Sequence, residues 1–256
     1  MACKYKNKCK LYNNEFHNCK MNGFNPDTNY YFNCADELNI LDKNNNKLPR
    51  ELKYIQEVLN YLKTLKGEHK LLEVGAAGNI LRYLLPKNIN YTSCDCFKPQ
   101  DYICDLDSEN LPIEDNSYDI LVCLETLEHI INPTRVMKEF KRVVKKDGII
   151  IISIPNDYNF YLRLCYLFGI KKKNIDEPFE VVNKNLHIHK VRVRDIIDFI
   201  GKYLKIKEIK YLWTSSKSNK YILVDKFLNY LAQIKPSLFT RMVLVIGSNN
   251  KITIRR

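Results

Sequence analysis

Residues 125–130 read "ETLEHI" and directly follow "YDILVCL", an apolar run with the composition of a strand buried on both faces. Two carboxylates and an imidazole therefore crowd the point where that strand should end. If a helix begins just after it, Glu125, Glu128 and His129 fall at i, i+3 and i+4 and share one face. That face points into the crevice above the strand ends, where α/β sheets bind ligands. Carboxylate and imidazole together are the types that ligate a divalent cation or move a proton.

A second cluster lies upstream. In "LLEVGAAGNILRYLL", residues 71–85, a buried strand ends at Glu73, Gly75 and Gly78 bracket Ala76 and Ala77, and a helix should follow. Small residues let the backbone approach a ligand and a helix N-terminus offers free amides, so this is a strand-to-helix nucleotide loop. It has neither the G-x-G-x-x-G order of a dinucleotide fold nor the lysine of a P-loop, which disfavours hydride and phosphoryl transfer. The next strand ends in "CDC" and places Asp95 where a carboxylate accepts hydrogen bonds from ribose hydroxyls, about twenty residues after the loop. Asp105 follows in "ICDLD". Either aspartate alone reads as a cap or turn residue; Glu73, Gly75, Gly78, Asp95 and Asp105 together mark the carboxyl ends of successive strands.

Positioning these groups falls to a sheet. The runs "HKLLEVG", "NYTSC", "DYIC", "YDILVCL", "DGIIIISIP", "YLKIKEIKYLW" and "RMVLVIG" alternate with helical stretches. Continuous apolar strands separated by helices indicate an α/β fold with a parallel sheet covered on both faces. Before them, "RELKYIQEVLNYLKTLKG" has apolar residues at helical spacing and a glycine stop. Residues 1–35 differ: Cys3, Cys9, Cys19 and Cys34 stand among Tyr, Asn and Lys with almost no aliphatic residues. Such a segment cannot build its own core, so either four thiolates around a zinc ion order it or it is a tail, disordered or docked on the main domain. The chain accordingly divides into a Cys-rich leader (1–35), a linker and N-terminal helix (36–66) that includes the turn-rich "DKNNNKLP", and a main domain (67–256) with a lid-like segment at 156–190.

Composition bounds the partners. A chain of 256 residues, 45% hydrophobic, can bury one large core. Lys plus Arg (41) exceed Asp plus Glu (29), and a net charge of +12 favours acidic partners such as RNA, phosphorylated substrates or anionic membranes. The lysines are spread along the chain and accompany abundant Asn and Ile, so charge alone identifies no partner. Nine cysteines without an apolar secretion signal argue against a disulfide framework, and no apolar run approaches the roughly eighteen residues of a transmembrane helix. A cytoplasmic protein without transmembrane segments or peripheral membrane contact is expected.

From about Lys70 to Asn156 the chain resembles the class I S-adenosylmethionine-dependent methyltransferases, through "LEVGAAGN", then "DLDSENLPIEDNSYDILVCLETLEHI", then "EFKRVVKKDGIIIISIPN". The resemblance implies a Rossmann-like, seven-stranded, mostly parallel sheet with an antiparallel last strand. It also implies that Glu73, Gly75, Ala76 and Gly78 lie near the methionine moiety, Asp95 on the ribose, Asp105 with Leu106 around the adenine, and Leu124 at the pocket wall. Where the family usually has a central glycine, this loop has Ala76 and Ala77, which narrows the space beside the cofactor.

The E-x-x-E-H pattern further resembles the metal-binding signature of two O-methyltransferase groups, the ubiquinone-pathway enzymes and the small-RNA 3'-terminal 2'-O-methyltransferases. Those add a downstream histidine, here supplied by "LHIH". Side chains two apart on an extended segment point the same way, so His187 or His189 can close the site, and distance from His129 favours His189. The implied ligands are thus Glu125, Glu128, His129 and His189, for Mg2+ or another divalent cation. Without a metal, His129 is the general-base candidate, and "LEH" is otherwise a wall of the methyl-donor pocket. The leading expectation is O-methylation of a small or carrier-linked hydroxylated acceptor. The alternatives are an RNA methyltransferase that uses its basic surface and leader, and a catalytically degenerate fold that serves as a binding scaffold.

Overall fold

The computed structural model describes residues 52–96, 100–170, 187–213 and 222–250, and the backbone of four short strands nearer the N-terminus. Those four form two antiparallel pairs, β1 (Tyr12–Asn13) with β2 (Asn18–Cys19) and β3 (Asn22–Asn25) with β4 (Tyr30–Asn33). Cys3, Cys9, Cys34, the side chain of Cys19 and the "DKNNNKLP" linker lie outside the described residues, and the zinc expectation with them.

The main sheet contains β5 (His69–Val74), β6 (Ile89–Asp95), β7 (Tyr102–Ile103), β8 (Tyr118–Leu124), β9 (Val144–Pro155), β10 (Lys205–Leu212) and β11 (Met242–Ser248). Its order is β7-β6-β5-β8-β9-β11-β10, seven strands in all. β5 pairs in parallel with β6 and β8, and β8 with β9, whereas β11 runs antiparallel to both β9 and β10. This is the expected Rossmann-like sheet with its antiparallel last strand. The chain builds outward from β5 to β7 and then returns to the opposite side of β5 with β8, which opens a crevice at the carboxyl ends of those two strands.

Helices α1 (Lys53–Leu62), α2 (Pro133–Val143), α3 (Phe160–Leu167), α4 (Val193–Gly201), α5 (Ile222–Ile234) and α6 (Pro236–Phe239) accompany the sheet. Strand alternation sorts the isoleucine run of β9 between two cores. Ile150 and Ile152 join Leu72, Val74, Leu121, Met137 and Phe140 on the face under α2 and α4. Ile149 and Ile151 join Leu71, Ile120, Val122, Leu59 and Leu62 on the face under α1. Asn132 caps α2 by accepting a hydrogen bond from Arg135 N at 3.1 Å, with Pro133 at the first helical position. Among the described residues no helix is long and apolar enough to cross a membrane.

Two expected helices are shorter than their apolar spacing suggests. After β5 there is a 3-10 turn, Ile80–Tyr83, and after β8 another, Leu127–His129. Ala77 and Asn79 adopt positive φ (43° and 60°) and delay the first, while Pro86 disfavours helical geometry at Leu85. Glu125 has φ 51°, so it precedes the second turn and is not on one helical face with Glu128 and His129.

The segment between β7 and β8, which carries Asp105 and Leu106, is fixed by two arginines of α2. Arg135 Nη1 donates to Glu109 O at 2.7 Å, and Arg135 Nη2 to Leu106 O. Arg142 donates to Ile113 O (2.7 Å), Leu111 O (3.0 Å), Asp115 (2.7 Å) and both oxygens of Glu139 (2.9 and 2.7 Å), and Glu139 accepts in turn from Leu111 N at 3.1 Å. Arg142→Met strands these partly buried acceptors and should lower unfolding free energy by about 2–3 kcal/mol in urea titrations. Hydrogen bonding from Arg142 holds the Glu139 carboxyl below its ordinary range. Its contribution is complete above the unfolded value of about 4.3 and is lost as pH falls through the folded value. The destabilisation by Glu139→Gln should therefore be full at neutral pH and shrink progressively below about pH 4.

Candidate active site

At the end of β5, Gly75 turns the chain with φ 74°. A Cβ there would fall 2.7 Å from Thr126 Cγ2 and 2.9 Å from Thr126 Cβ, closer than real side chains approach. The loop after β5 and the turn after β8 are therefore in direct contact, and only glycine permits it. Ala77 N donates to Asp95 Oδ2 at 2.9 Å, which closes the loop onto the end of β6. Gln100 Nε2 donates to Ala77 O (2.8 Å), and Asn79 Nδ2 donates to Gln100 Oε1 (3.0 Å). Glu73 is buried under this loop, where the Tyr91 hydroxyl donates to its Oε2 and lies 3.0 Å from Asn79 Oδ1. Burial first, then the adjacent Glu73 charge, push the Tyr91 hydroxyl far above its ordinary pKa, so it stays a donor.

Ala76 and Gly78 are buried in the loop, and Leu124 closes β8 beside it. Asp105 is exposed and its carboxylate accepts from Asp107 N (2.9 Å) and Ser108 Oγ (2.8 Å), the geometry of a turn cap. Leu106 is buried in the core beside it. Sequence reasoning missed Asn79, Tyr91 and Gln100. Asn79 had a usable signal, since asparagine tolerates the left-handed conformation it adopts; the other two act across the fold and have none.

The second half of the site stands on β8 and β9. Glu125 N donates to Ser153 O at 3.2 Å, and Ser153 Oγ donates to Glu125 Oε1 at 3.3 Å. Glu128 is 1% exposed, and neither carboxylate oxygen has a hydrogen-bond partner among the described residues; His129 Nε2 lies 3.9 Å from Oε1. His187 meets His129 edge-on, with ring centroids 5.1 Å apart, and its Nδ1 lies 3.0 Å from both oxygens of buried Asp157. Ligand atoms of Glu128, His129 and His187 all fall within 4.8 Å of one another.

His189 does not join them. Its Nε2 lies 2.8 Å from Ile130 O, and Ile188 N and His189 N both donate to Glu128 O, at 2.9 and 3.0 Å. Two successive amides on one carbonyl break strand alternation, so the two histidines diverge and His187 takes the place expected for His189. Asp157, just past β9, was also missed, because its partner is 30 residues away in the sequence.

Burial dominates the electrostatics of this half. It pushes the Glu125 carboxyl up to about 7, against the pull of His187 and Ser153. Burial, then the charge of Glu125, hold Glu128 well above the carboxylate range. Burial opposes a charge on His187, but the bond to Asp157 outweighs it and raises that imidazole. A buried carboxylate without hydrogen bonds is costly as an anion unless a proton or a cation joins it, and one carboxylate with two imidazoles is a fitting donor set for a divalent ion.

A methyltransferase-domain family model matches residues 72–152. A ubiquinone biosynthesis O-methyltransferase of Coxiella burnetii (strain Dugway 5J108-111) is 30% identical over 206 residues, 72% of this chain and 82% of the relative. One from Rickettsia bellii is 26% identical over 227 residues, 81% of this chain and 91% of the relative. Two solved structures share the fold. The N-methyltransferase NodS of Bradyrhizobium japonicum, in complex with S-adenosyl-L-homocysteine, superposes with TM-score 0.50 at 12% identity, over 79% of this chain and 89% of that one. A Haloferax volcanii protein solved with a methyltransferase activator gives 0.52 at 14% identity, over 85% and 94%. With a methyltransferase relative matched along most of its length and the strand order described above, the chain belongs to the class I S-adenosylmethionine-dependent methyltransferases.

Proposed function

We propose that the enzyme methylates a hydroxyl oxygen of a small or carrier-linked acceptor, with a divalent-cation site formed by Glu128, His129 and His187 and with Glu125 alongside. The observation that carries this reading is Glu128, buried with neither carboxylate oxygen hydrogen-bonded among the described residues and grouped with two imidazoles. The names of the curated relatives support oxygen as the methylated atom.

In the proposed reaction the acceptor oxygen bonds to the sulfonium methyl as the carbon–sulfur bond breaks, which leaves a neutral thioether and requires loss of the hydroxyl proton. Methyl transfer needs little beyond an in-line nucleophile, so most of the work is positioning. A bound divalent cation would lower the pKa of the acceptor hydroxyl and fix its oxygen. The chain's own residues do the rest. Asp95 accepts from the ribose hydroxyls while it holds Ala77 N. The Gly75–Thr126 contact sets the spacing between donor loop and acid cluster. A histidine whose lone pair is given to a cation cannot also act as base, so the hydroxyl proton leaves to solvent at the cluster's edge, where 23% of the His129 side chain is exposed; in a metal-free site His129 itself takes that proton. RNA is the alternative acceptor, compatible with a net charge of +12 that by itself selects no partner; methylation of RNA would fall steeply with added salt, and that of a neutral small acceptor would not.

Asp95→Ala should weaken S-adenosylmethionine binding by about 1–3 kcal/mol in calorimetry, and unchanged affinity would remove Asp95 from the cofactor site. For the cation, the full-length protein should bind close to one equivalent of Mn2+, and Glu128→Gln should lower that affinity by at least about tenfold. Chelation should abolish methylation of hydroxylated acceptors, with recovery on adding Mn2+. Activity indifferent to both chelator and Glu128→Gln would end the cation reading.

A further inference from the structure

We propose that Asp157 is a positioning residue for the active site: it holds the Nδ1–H of His187, so that Nε2 is the lone pair this imidazole presents to Glu128 and His129. The inference rests on the cation-site reading above and extends it to a residue that touches neither cofactor nor cation. Both Asp157 oxygens lie 3.0 Å from His187 Nδ1. An ionised carboxylate only accepts, so Nδ1 must carry the hydrogen, and a neutral imidazole with its proton on Nδ1 has its lone pair on Nε2. Asp157 is 2% exposed and is not among the three residues whose ligand atoms cluster, which fits a supporting carboxylate behind a ligating histidine.

Backbone hydrogen bonds hold both partners in place. On one side, Asn156 N donates to Arg241 O (2.8 Å), Asn156 Nδ2 to Thr240 O (2.8 Å) and Asp157 N to Val191 O (3.2 Å). Asn159 Nδ2 donates to Asn156 O at 3.0 Å, while Asn159 Oδ1 caps α3 through Leu162 N at 3.2 Å. On the other side, Glu128 O accepts from Ile188 N and His189 N, and Ile130 O meets the His189 ring. The backbone beside His187 is thus clamped to the E-x-x-E-H turn, and its ring is clamped to the end of β9. His189 acquires a role here as well, as the anchor that lets its neighbour reach the cluster.

The test uses full-length protein labelled with 15N in histidine, together with Asp157→Asn and Glu128→Gln. In metal-free wild type at about pH 8, His187 should show the Nδ1–H form, and in Asp157→Asn, where an amide can also donate to Nδ1, the Nε2–H form should gain population. Mn2+ affinity measured by calorimetry should fall about 10- to 100-fold in Asp157→Asn. S-adenosylmethionine affinity and the thermal midpoint should stay close to wild type, which separates positioning from general loss of structure. His187 found with its proton on Nε2 in wild type would overturn the proposal whatever the metal result. Mn2+ binding lost in Glu128→Gln but unchanged in Asp157→Asn would overturn it and leave the cation site standing. Wild type that binds no Mn2+ would overturn both.

Discussion

The site depends on a collision that does not happen. β5 and β8 are neighbouring parallel strands, about 4.8 Å apart, and both must turn at the same level of the sheet. Thr126 takes the space at that level, and Gly75 yields it by having no side chain. Left-handed backbone gathers at the same place, with Gly75, Ala77 and Asn79 after β5 and Glu125 after β8. Each non-glycine residue in that conformation costs on the order of 1 kcal/mol or more, and persists only where the surroundings dictate it. Here they do: Asp95 and Gln100 hold both sides of the Ala77 peptide unit, and Ser153 holds Glu125. The substitution of alanine for a usual glycine in the loop is thus accommodated by anchoring the strained residue on both its amide and its carbonyl.

Charge is arranged against the grain of the whole molecule. The chain carries +12, yet the ends of β8 and β9 bury Glu128 and Asp157 and half-bury Glu125 within one small region. The charges of His187 and Arg241 offset part of this. Glu128, with no hydrogen bond to its carboxyl among the described residues, is costly there as an anion, and the raised pKa values of Glu125 and Glu128 express that cost as a bound proton. In the proposed reading a divalent cation takes the place of that proton. A long-range basic field and a short-range acidic pocket do not conflict, because at physiological salt the first decays over about 8 Å outside the protein while the second acts within it.

Nearly all of the sheet was legible in the sequence. Parallel strands buried on both faces announce themselves as unbroken apolar runs, and "IIII" in β9 needed only strand alternation to serve two cores. The turns after β5 and β8 were less legible. Helical spacing of Glu125, Glu128 and His129 presumes helical backbone from the first residue, and one residue with φ 51° is enough to cancel it. What survives is proximity: Glu125 still acts on Glu128 through its charge, although no helix aligns them. The pair "LHIH" supplied the histidine, but as His187 and not the favoured His189: alternation holds only on a regular strand, and the Glu128 carbonyl makes this segment irregular. Asp157, Tyr91 and Gln100 stand for what a sequence cannot supply by pattern: their roles are set by partners that the topology brings together.

The two halves of the site divide along the seam between β5 and β8. The β5–β6 side gathers glycine, small residues, amides and Asp95, a surface suited to a nucleoside and its amino-acid tail. The β8–β9 side gathers the buried acids and imidazoles, suited to an oxygen that must lose a proton. In the proposed reaction the methyl group crosses that seam, and Thr126 stands on it with its hydroxyl donating to Leu124 O at 2.9 Å. The hydrogen bond turns the polar end of Thr126 towards the backbone of its own strand. A donor on one flank and an acceptor on the other, with the spacing between them set by a glycine and a threonine, is a geometry in which alignment is supplied by the sheet itself, before either substrate arrives.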